Sequence, residues 1–354
     1  MSSPILARRT AVEIAFAGTD ITSSIRPYLL GVTYTDNEDK PDDLQIQLQD
    51  RDSIWMQDWL NEAIEAASAA KLAMDAVIVR ENWHGGGGDV VLPCGEFELD
   101  SVAASGPPAA ITIRGTALPF TAQVRQTLKS KAWENYTLSG IANEIAGANG
   151  MLCMYESASN PFYARVEQVK TSDVVFLSRL CHDAGISLKA TNHILVFYDQ
   201  AEYEAKGEVF TIRRGGGAYT KYKLDVGSAD TQYTSCRVSY VDPATGKCIE
   251  GISRIEDYNA SAKNNQRLEI TAKVKDKDEA KKLAEKHLRL HNRYSKTASF
   301  SLPGNPNLVA GVNVRLKGWG GWDGKYIITQ AKHTVTGTGG YTVQIKLCRV
   351  LEGY

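Results

Sequence analysis

The chain has 354 residues, and 40 Lys+Arg against 41 Asp+Glu give it a formal charge of −1. At 43% hydrophobic and 23% charged residues, it is too apolar for a disordered chain, and it is longer than one hydrophobic core usually fills. It holds no apolar run of about 18 residues, which excludes a transmembrane helix and predicts no membrane insertion.

Met1–Arg9 lacks the apolar core of a signal peptide, so Sec-type secretion is not expected. Six cysteines (Cys94, Cys153, Cys181, Cys236, Cys248, Cys348) form no C-x-x-C pair. That argues against a zinc ribbon or a thioredoxin motif and for reduced thiols. The charge is unevenly spread. Residues 1–120 carry 8 basic and 18 acidic side chains (−10), residues 121–210 carry 8 and 10 (−2), and residues 211–354 carry 24 and 13 (+11). Three blocks of different charge predict three domains at those boundaries. The basic last block suits either nucleic acid or an acidic counterpart within the chain or on a neighbouring subunit.

In chain order, Val12, Ile14 and Phe16 alternate with smaller or polar residues, as do Leu44, Ile46 and Leu48 with glutamines. Period-2 alternation marks strands with one buried face. Asp36–Asp43 reads as a polar loop. Asp52 or Ser53 is placed to cap a short helix through about Ala67, with Trp55 and Trp59 on one face. Leu72, Met74, Ala76 and Ile78 predict another strand, and Gly85–Gly88 a loop. Val90–Leu92, Phe97–Val102 and Ile111–Arg114 complete the first β-block, with a turn at Gly106-Pro107-Pro108. In the middle block Thr137 caps a helix carrying Leu138, Ile141 and Ile145, with Gly150 just past its end. A second helix starts near Ser172, carries Phe176, Leu177, Leu180 and Cys181, and ends at Gly185. A hairpin follows, with its turn at Thr191-Asn192. Further on, Cys236–Tyr240 and Lys247–Ile252 form a hairpin, and Asp276 with Glu279 opens a helix through about His291. Val312–Lys317, Tyr326–Val335 and Tyr341–Val350 form a last antiparallel set. The order is β-block with helix, α+β insert, β-block with helix, which fits a diverged duplication.

No catalytic or cofactor constellation emerges. His84-Gly-Gly-Gly resembles an oxyanion loop, but the chain contains no G-x-S-x-G nucleophile elbow. His287 and His291 stand four apart on a helix, yet Leu288 occupies the position where a zincin has glutamate. Gly215–Gly217 after Arg213-Arg214 lacks nucleotide-loop spacing. No metal, no cofactor and no enzyme activity are therefore expected. Trp319 and Trp322, in the Gly318–Gly324 loop, are the candidate partner-binding residues, suited to a protein or sugar surface. The alternative is that both rings fold back over a barrel end.

Several stretches resemble the phage late control gene D family, the central baseplate hub of contractile tails. They are Asp43–Asp52 with Trp55, Asp58 and Trp59; Leu92–Val102 with Pro107-Pro108 and Ile111–Gly115; Glu167-Gln168, Ser172-Asp173, Phe176-Leu177, Leu180 and Ala184-Gly185; Gly324–Ile328 with Ala331–His333; and Tyr341–Leu347. The Ala-rich stretch Asn61–Ala70 departs from the family's short turn at that place. The resemblance implies a mainly β (α+β) fold with two tail-tube-like antiparallel β-barrel domains, 1–120 and 211–354, each with a helix, around a small α+β domain at 121–210. It also implies a homotrimer whose six barrels adapt a hexameric tail tube to a trimeric central spike. Its partners would be tube, spike and other baseplate proteins, with no specific nucleic acid. Assembly would occur in the bacterial cytoplasm, and the product would belong to a virion or phage-tail-like particle. The opposed charges of the outer blocks suit a head-to-tail ring. Two other readings stay open: a nucleic-acid-binding protein using the basic block, and a cell-wall or sugar-binding module using the tryptophan loop.

Overall fold

A computed structural model describes residues 7–38, 40–55, 73–83, 88–117, 127–227, 232–243, 245–256, 258–261, 265–338 and 340–351. The expected helix at 53–67, Trp59, Leu72, the Asn61–Ala70 stretch and the His84–Gly87 motif fall wholly or mainly outside these residues. The fold is mainly β with antiparallel sheets, and no described helix is long and apolar enough to cross a membrane.

The first block contains β1 (Arg9–Phe16), β2 (Thr19–Asp20), the short α1 (Thr22–Ile25), β3 (Leu29–Asn37), β4 (Asp43–Gln49), β5 (Ala73–Glu81), β6 (Val90–Ser105) and β7 (Ala110–Thr116). Leu44, Ile46 and Leu48 are buried while the intervening glutamines lie further out, and Met74, Ala76 and Ile78 repeat the pattern on β5. Ile46 lies opposite Val32 on β3 and Ile113 on β7, so one apolar row crosses three strands. The pairing path is β3-β4-β7-β6-β5-β1-β2.

The sequence suggests two strands within 90–102, yet β6 runs unbroken for sixteen residues. Opposite Ala76 and Val77 its register slips at Gly95, whose φ is +95°, leaving the buried Cys94 as an extra residue. Such a bulge bends a strand without ending it, and glycine tolerates that φ because it has no Cβ.

The middle unit comprises β8 (Lys129–Thr137), α2 (Leu138–Ala148), β9 (Leu152–Tyr155), β10 (Phe162–Thr171), α3 (Asp173–Ala184), β11 (Ser187–Thr191), β12 (Ile194–Tyr198) and α4 (Gln200–Ala205). Ile141, Ile145, Phe176, Leu177, Leu180 and Phe197 form its core. The Thr137 hydroxyl accepts a hydrogen bond from the Gly140 N–H at 3.2 Å, and Gly185 closes α3 in the left-handed conformation at φ +65°. Thr137→Ala is expected to destabilise this unit by about 1 kcal/mol, read as a lower urea midpoint, because one N–H at the helix start loses its acceptor. The hairpin turn falls at Asn192-His193, one residue later than the sequence suggests, and both residues have positive φ.

The last part comprises β13 (Glu208–Arg213), β14 (Lys221–Val226), β15 (Ser235–Val241), β16 (Cys248–Arg254), β17 (Arg267–Thr271), α5 (Lys277–Asn292), β18 (Lys296–Pro303), β19 (Asn313–Lys317), β20 (Gly324–Thr336) and β21 (Gly340–Arg349). It fills two cores. One lies within β13, β14 and β18–β21, around Phe300, Val314, Leu316, Tyr326 and Ile345. The other is separate: β15, β16 and β17 form their own sheet and pack Cys236 and Val238 against Ala280, Ala284 and Leu288 of α5. The Asp276 carboxylate accepts from the Glu279 N–H at 2.8 Å, and Glu279 accepts in turn from the Lys275 N–H.

The outer blocks are not independent sheets. Among the described residues, thirteen strands join in one sheet through the antiparallel pairing of β3 with β20, from Gly31↔Thr336 to Asn37↔Gln330. β20 holds β21 along one edge. Along its other edge Gly324–Ile327 hold β19 and Gln330–Thr336 hold β3. The change of partner falls at Thr329, where the β20–β21 register slips and the Thr329 carbonyl accepts from the Glu38 N–H.

Candidate functional site

The chain concentrates buried polar chemistry where the two blocks and the middle unit meet. Continuing the alternation of β3 inward past Tyr34 places Asp36 in the interior, followed by Asn37 and Glu38, all buried. Buried carboxylates need charge partners or hydrogen-bond donors, and each finds them on another part of the chain. Asp36 pairs with Lys189 of β11 and accepts from the Ala310 N–H at 2.8 Å. Asp42 accepts from the Asn37 N–H at 2.9 Å and from the Thr191 hydroxyl at 2.7 Å. Burial alone would lower the Lys189 pKa, but the charges of Asp36 and Asp42 outweigh it and hold the ammonium protonated. Burial pushes the Asp42 carboxyl up, against the pull of Lys189.

Beside this cluster, both carboxylate oxygens of Glu38 (1% exposed) accept from Arg293 (2% exposed), at 2.8 and 3.1 Å. Burial acts to lower the pKa of the Arg293 guanidinium, and the Glu38 charge more than reverses it. Nearby, Glu204 of α4 lies 3.2 Å from Arg289, and Lys286 lies 2.6 Å from Asp199. Acidic residues of the first block thus meet basic residues of the two later blocks within one chain, the in-chain alternative that the charge split left open.

On the apolar side of the seam, Tyr341, Val309 and Val335 pack into the first block's core. Arg80 donates to the Gly304 carbonyl at 2.8 Å. His333 stacks on Tyr34, with its Nε2 at 3.0 Å from the Leu308 carbonyl and its Nδ1 at 2.7 Å from the Tyr341 hydroxyl. A carbonyl can only accept, so Nε2 carries the proton and Nδ1 accepts from Tyr341, which selects the neutral ring. Burial lowers the pKa of His333, and likewise of His287, to about 4.

The pH dependence follows from these directions. Between about pH 6.5 and 4 the unfolded chain protonates both histidines while the folded chain does not, so their contribution to stability falls as pH drops through that window. Asp42, Glu204 and His182 act oppositely, because their raised folded pKa values favour folding at lower pH. The urea midpoint of Asp42→Asn is therefore expected to fall more steeply from pH 6.5 to 4.5 than that of the parent chain, because one opposing contribution is removed.

The sequence-derived candidates lie elsewhere. Trp319 is 5% exposed, packs against Phe300, Tyr219 and Tyr222, and donates from Nε1 to the Ile212 carbonyl at 3.0 Å. Trp322 is half-buried against the same core. His287 is buried, with Nε2 at 3.3 Å from the Asp183 carbonyl, and its ring is 5.7 Å from that of His182. Among the described residues, no three His, Cys, Asp or Glu side chains are grouped to hold a metal. Gly215–Gly217 form a tight turn whose first N–H donates to the Tyr219 hydroxyl. The seam residues escaped the sequence reading because Asp36–Asp43 looked like a solvated loop. The available signal was that Asp36 continues the inward positions of β3.

Comparison with solved structures places this architecture among tail proteins. A tail protein from Neisseria meningitidis superposes with a TM-score of 0.67 at 10% identity, covering 96% of this chain and 97% of its own. A 43 kDa prophage tail protein from Shewanella oneidensis gives 0.61 at 14% identity and 96% of both chains. An E. coli component of the type VI secretion system gives 0.55 at 12% identity, covering 92% of this chain and 75% of its own. At such identities the likeness carries the fold alone. No curated protein matches the chain by sequence. The profile of the phage tail baseplate hub family matches residues 112–339, most of the length and including Lys189, Arg293 and His333 of the seam, and the chain belongs to that family.

Proposed function

We propose that the protein is the structural hub of a contractile tail or tail-like injection particle and has no catalytic role. In this reading, 1–120 and 211–354 each supply a tube-like barrel, with β15–β17 and α5 as an excursion from the second, and 121–210 is the middle domain. Three copies form a ring of six barrels that joins a sixfold tail tube to a threefold central spike.

The observation that carries the reading is the β3–β20 ladder, which fixes two antiparallel blocks of one chain side by side in a single sheet. A rigid pair of blocks per chain is what converts threefold into pseudo-sixfold symmetry. The E. coli neighbour, described as structurally similar to the T4 tail proteins gp27 and gp5, supports tube and spike proteins as partners. Assembly in the bacterial cytoplasm and incorporation into the baseplate of a virion or tail-like particle complete the proposal. In-chain pairing of Glu38 with Arg293 and of Asp36 with Lys189 gives the charge asymmetry a use that needs no nucleic acid.

The test is mass in solution by light scattering, alone and with a tail tube protein and a spike protein. A mass of three chains, or trimerisation on adding the spike protein, is expected. A monomer under every condition would overturn the ring.

A further inference from the structure

The sheet of β15, β16 and β17 buries one face against α5 and leaves the other open. On the open face Ser235 of the central strand lies opposite Arg254 of β16 and Arg267 of β17. Adjacent strands are about 4.8 Å apart, so the two arginines stand roughly 10 Å apart at their Cα atoms and both can reach one ligand between them. The chain after β16 brings Tyr258 and Asn265 over the same end, and with Ile252 these residues line a half-open cavity of about 280 Å³.

Further along this face Arg237 is already engaged by Glu250 and Glu269. Arg267 shares Glu269. Arg254 has no carboxylate partner among the described residues and lies 5.1 Å from the centre of the Tyr258 ring. Asn265 donates from Nδ2 to the carbonyls of Asn259 and Ala260, which fixes the orientation of its amide. Its Oδ1 is buried with no hydrogen-bond partner among the described residues.

Each feature specifies part of a ligand. Two guanidinium forks match the O–P–O edges of a phosphate oxyanion. A cavity near the lower end of the small-molecule range, about 300 Å³, admits more than a bare ion. We propose that this cavity binds a small phosphate monoester such as a sugar phosphate, with the phosphate between Arg254 and Arg267. The site is independent of the hub reading, since its failure would leave the oligomeric state untouched.

The experiment is calorimetric titration of the full chain with glucose 6-phosphate, inorganic phosphate, glucose and citrate. Glucose 6-phosphate is expected to bind saturably, inorganic phosphate more weakly, and glucose not at all. Arg254→Gln and Arg267→Gln should each weaken binding at least tenfold, and Arg254→Lys less, because charge survives without the bidentate fork. A polymer of the sugar phosphate that binds tighter than the monomer would identify a surface polysaccharide as the source, and equal affinity a free ester; both support the site. No saturation by about 10 mM, citrate binding as tightly as glucose 6-phosphate, or unchanged affinity in the folded double Arg254→Gln/Arg267→Gln variant would overturn it.

Discussion

Arg293→Met is expected to lower the stability of the seam by about 3–5 kcal/mol, because it removes the guanidinium that both oxygens of the buried Glu38 carboxylate accept from. Both side chains are almost wholly buried, and the pair bonds through two N–H···O contacts, so solvent cannot replace the guanidinium. Glu38→Gln should cost less, since an amide carbonyl still accepts from Arg293. The double variant Glu38→Met/Arg293→Met should recover most of the loss, because removing both charges also removes their desolvation penalty. Urea midpoints for the three variants decide the matter. Equal losses in the single and double variants would mean that packing, and not the charge pair, holds this joint.

The second large effect is expected at Gly251, on the strand that faces α5. A Cβ built there would lie 2.3 Å from the Lys281 nitrogen, 2.5 Å from the Ala280 carbonyl carbon and 2.8 Å from the Ala280 Cβ. Backbone atoms of a helix cannot swing aside as a side-chain end can, so Gly251→Ala must push the whole of α5 off its sheet. A loss of about 2–3 kcal/mol is expected, at the upper end for overpacking by one methyl. Hydrogen exchange should locate it as faster exchange of α5 amides, with the β3–β20 ladder unaffected. Gly147, on an exposed part of α2, is the control. Nothing lies within 4 Å of its would-be Cβ, and Gly147→Ala should gain up to about 1 kcal/mol from helix propensity. Protected α5 amides in Gly251→Ala would show that helix and sheet have slack between them.

Local rules were legible wherever one segment carries its own signal. The alternation of Leu44, Ile46 and Leu48 located β4, and Thr137, Gly185 and Asp276 marked helix ends with bonds or conformations now visible. β8 and β10 were harder to see. They form a two-stranded ribbon in which β8 buries Trp133 alone among its nine residues, so no apolar period advertises it. What one sequence cannot display is which distant residues meet. Lys189 and Asp36 are 153 positions apart and Arg293 and Glu38 are 255 apart, and apart from Asp36, which continues the inward positions of β3, nothing local distinguishes these charges from solvated ones. The excursion of β15–β17 and α5 into a core of their own was hidden for the same reason. A hairpin reads identically whichever sheet it joins. The tryptophan loop shows the same limit: its glycine-rich surroundings left surface display and folding back both open, and Trp319 reaches the Ile212 carbonyl and the rings of Phe300, Tyr219 and Tyr222.

The partner change along β20 has a mechanical consequence. A strand that grips β19 with its first half and β3 with its second transmits tension from one block to the other through continuous covalent backbone. Pulling the blocks apart along that axis loads the β3 ladder in shear, so its seven register pairs must yield together instead of peeling one by one. The joint is therefore stiffest in the direction of the strands, and a pull at right angles to them finds its weak direction.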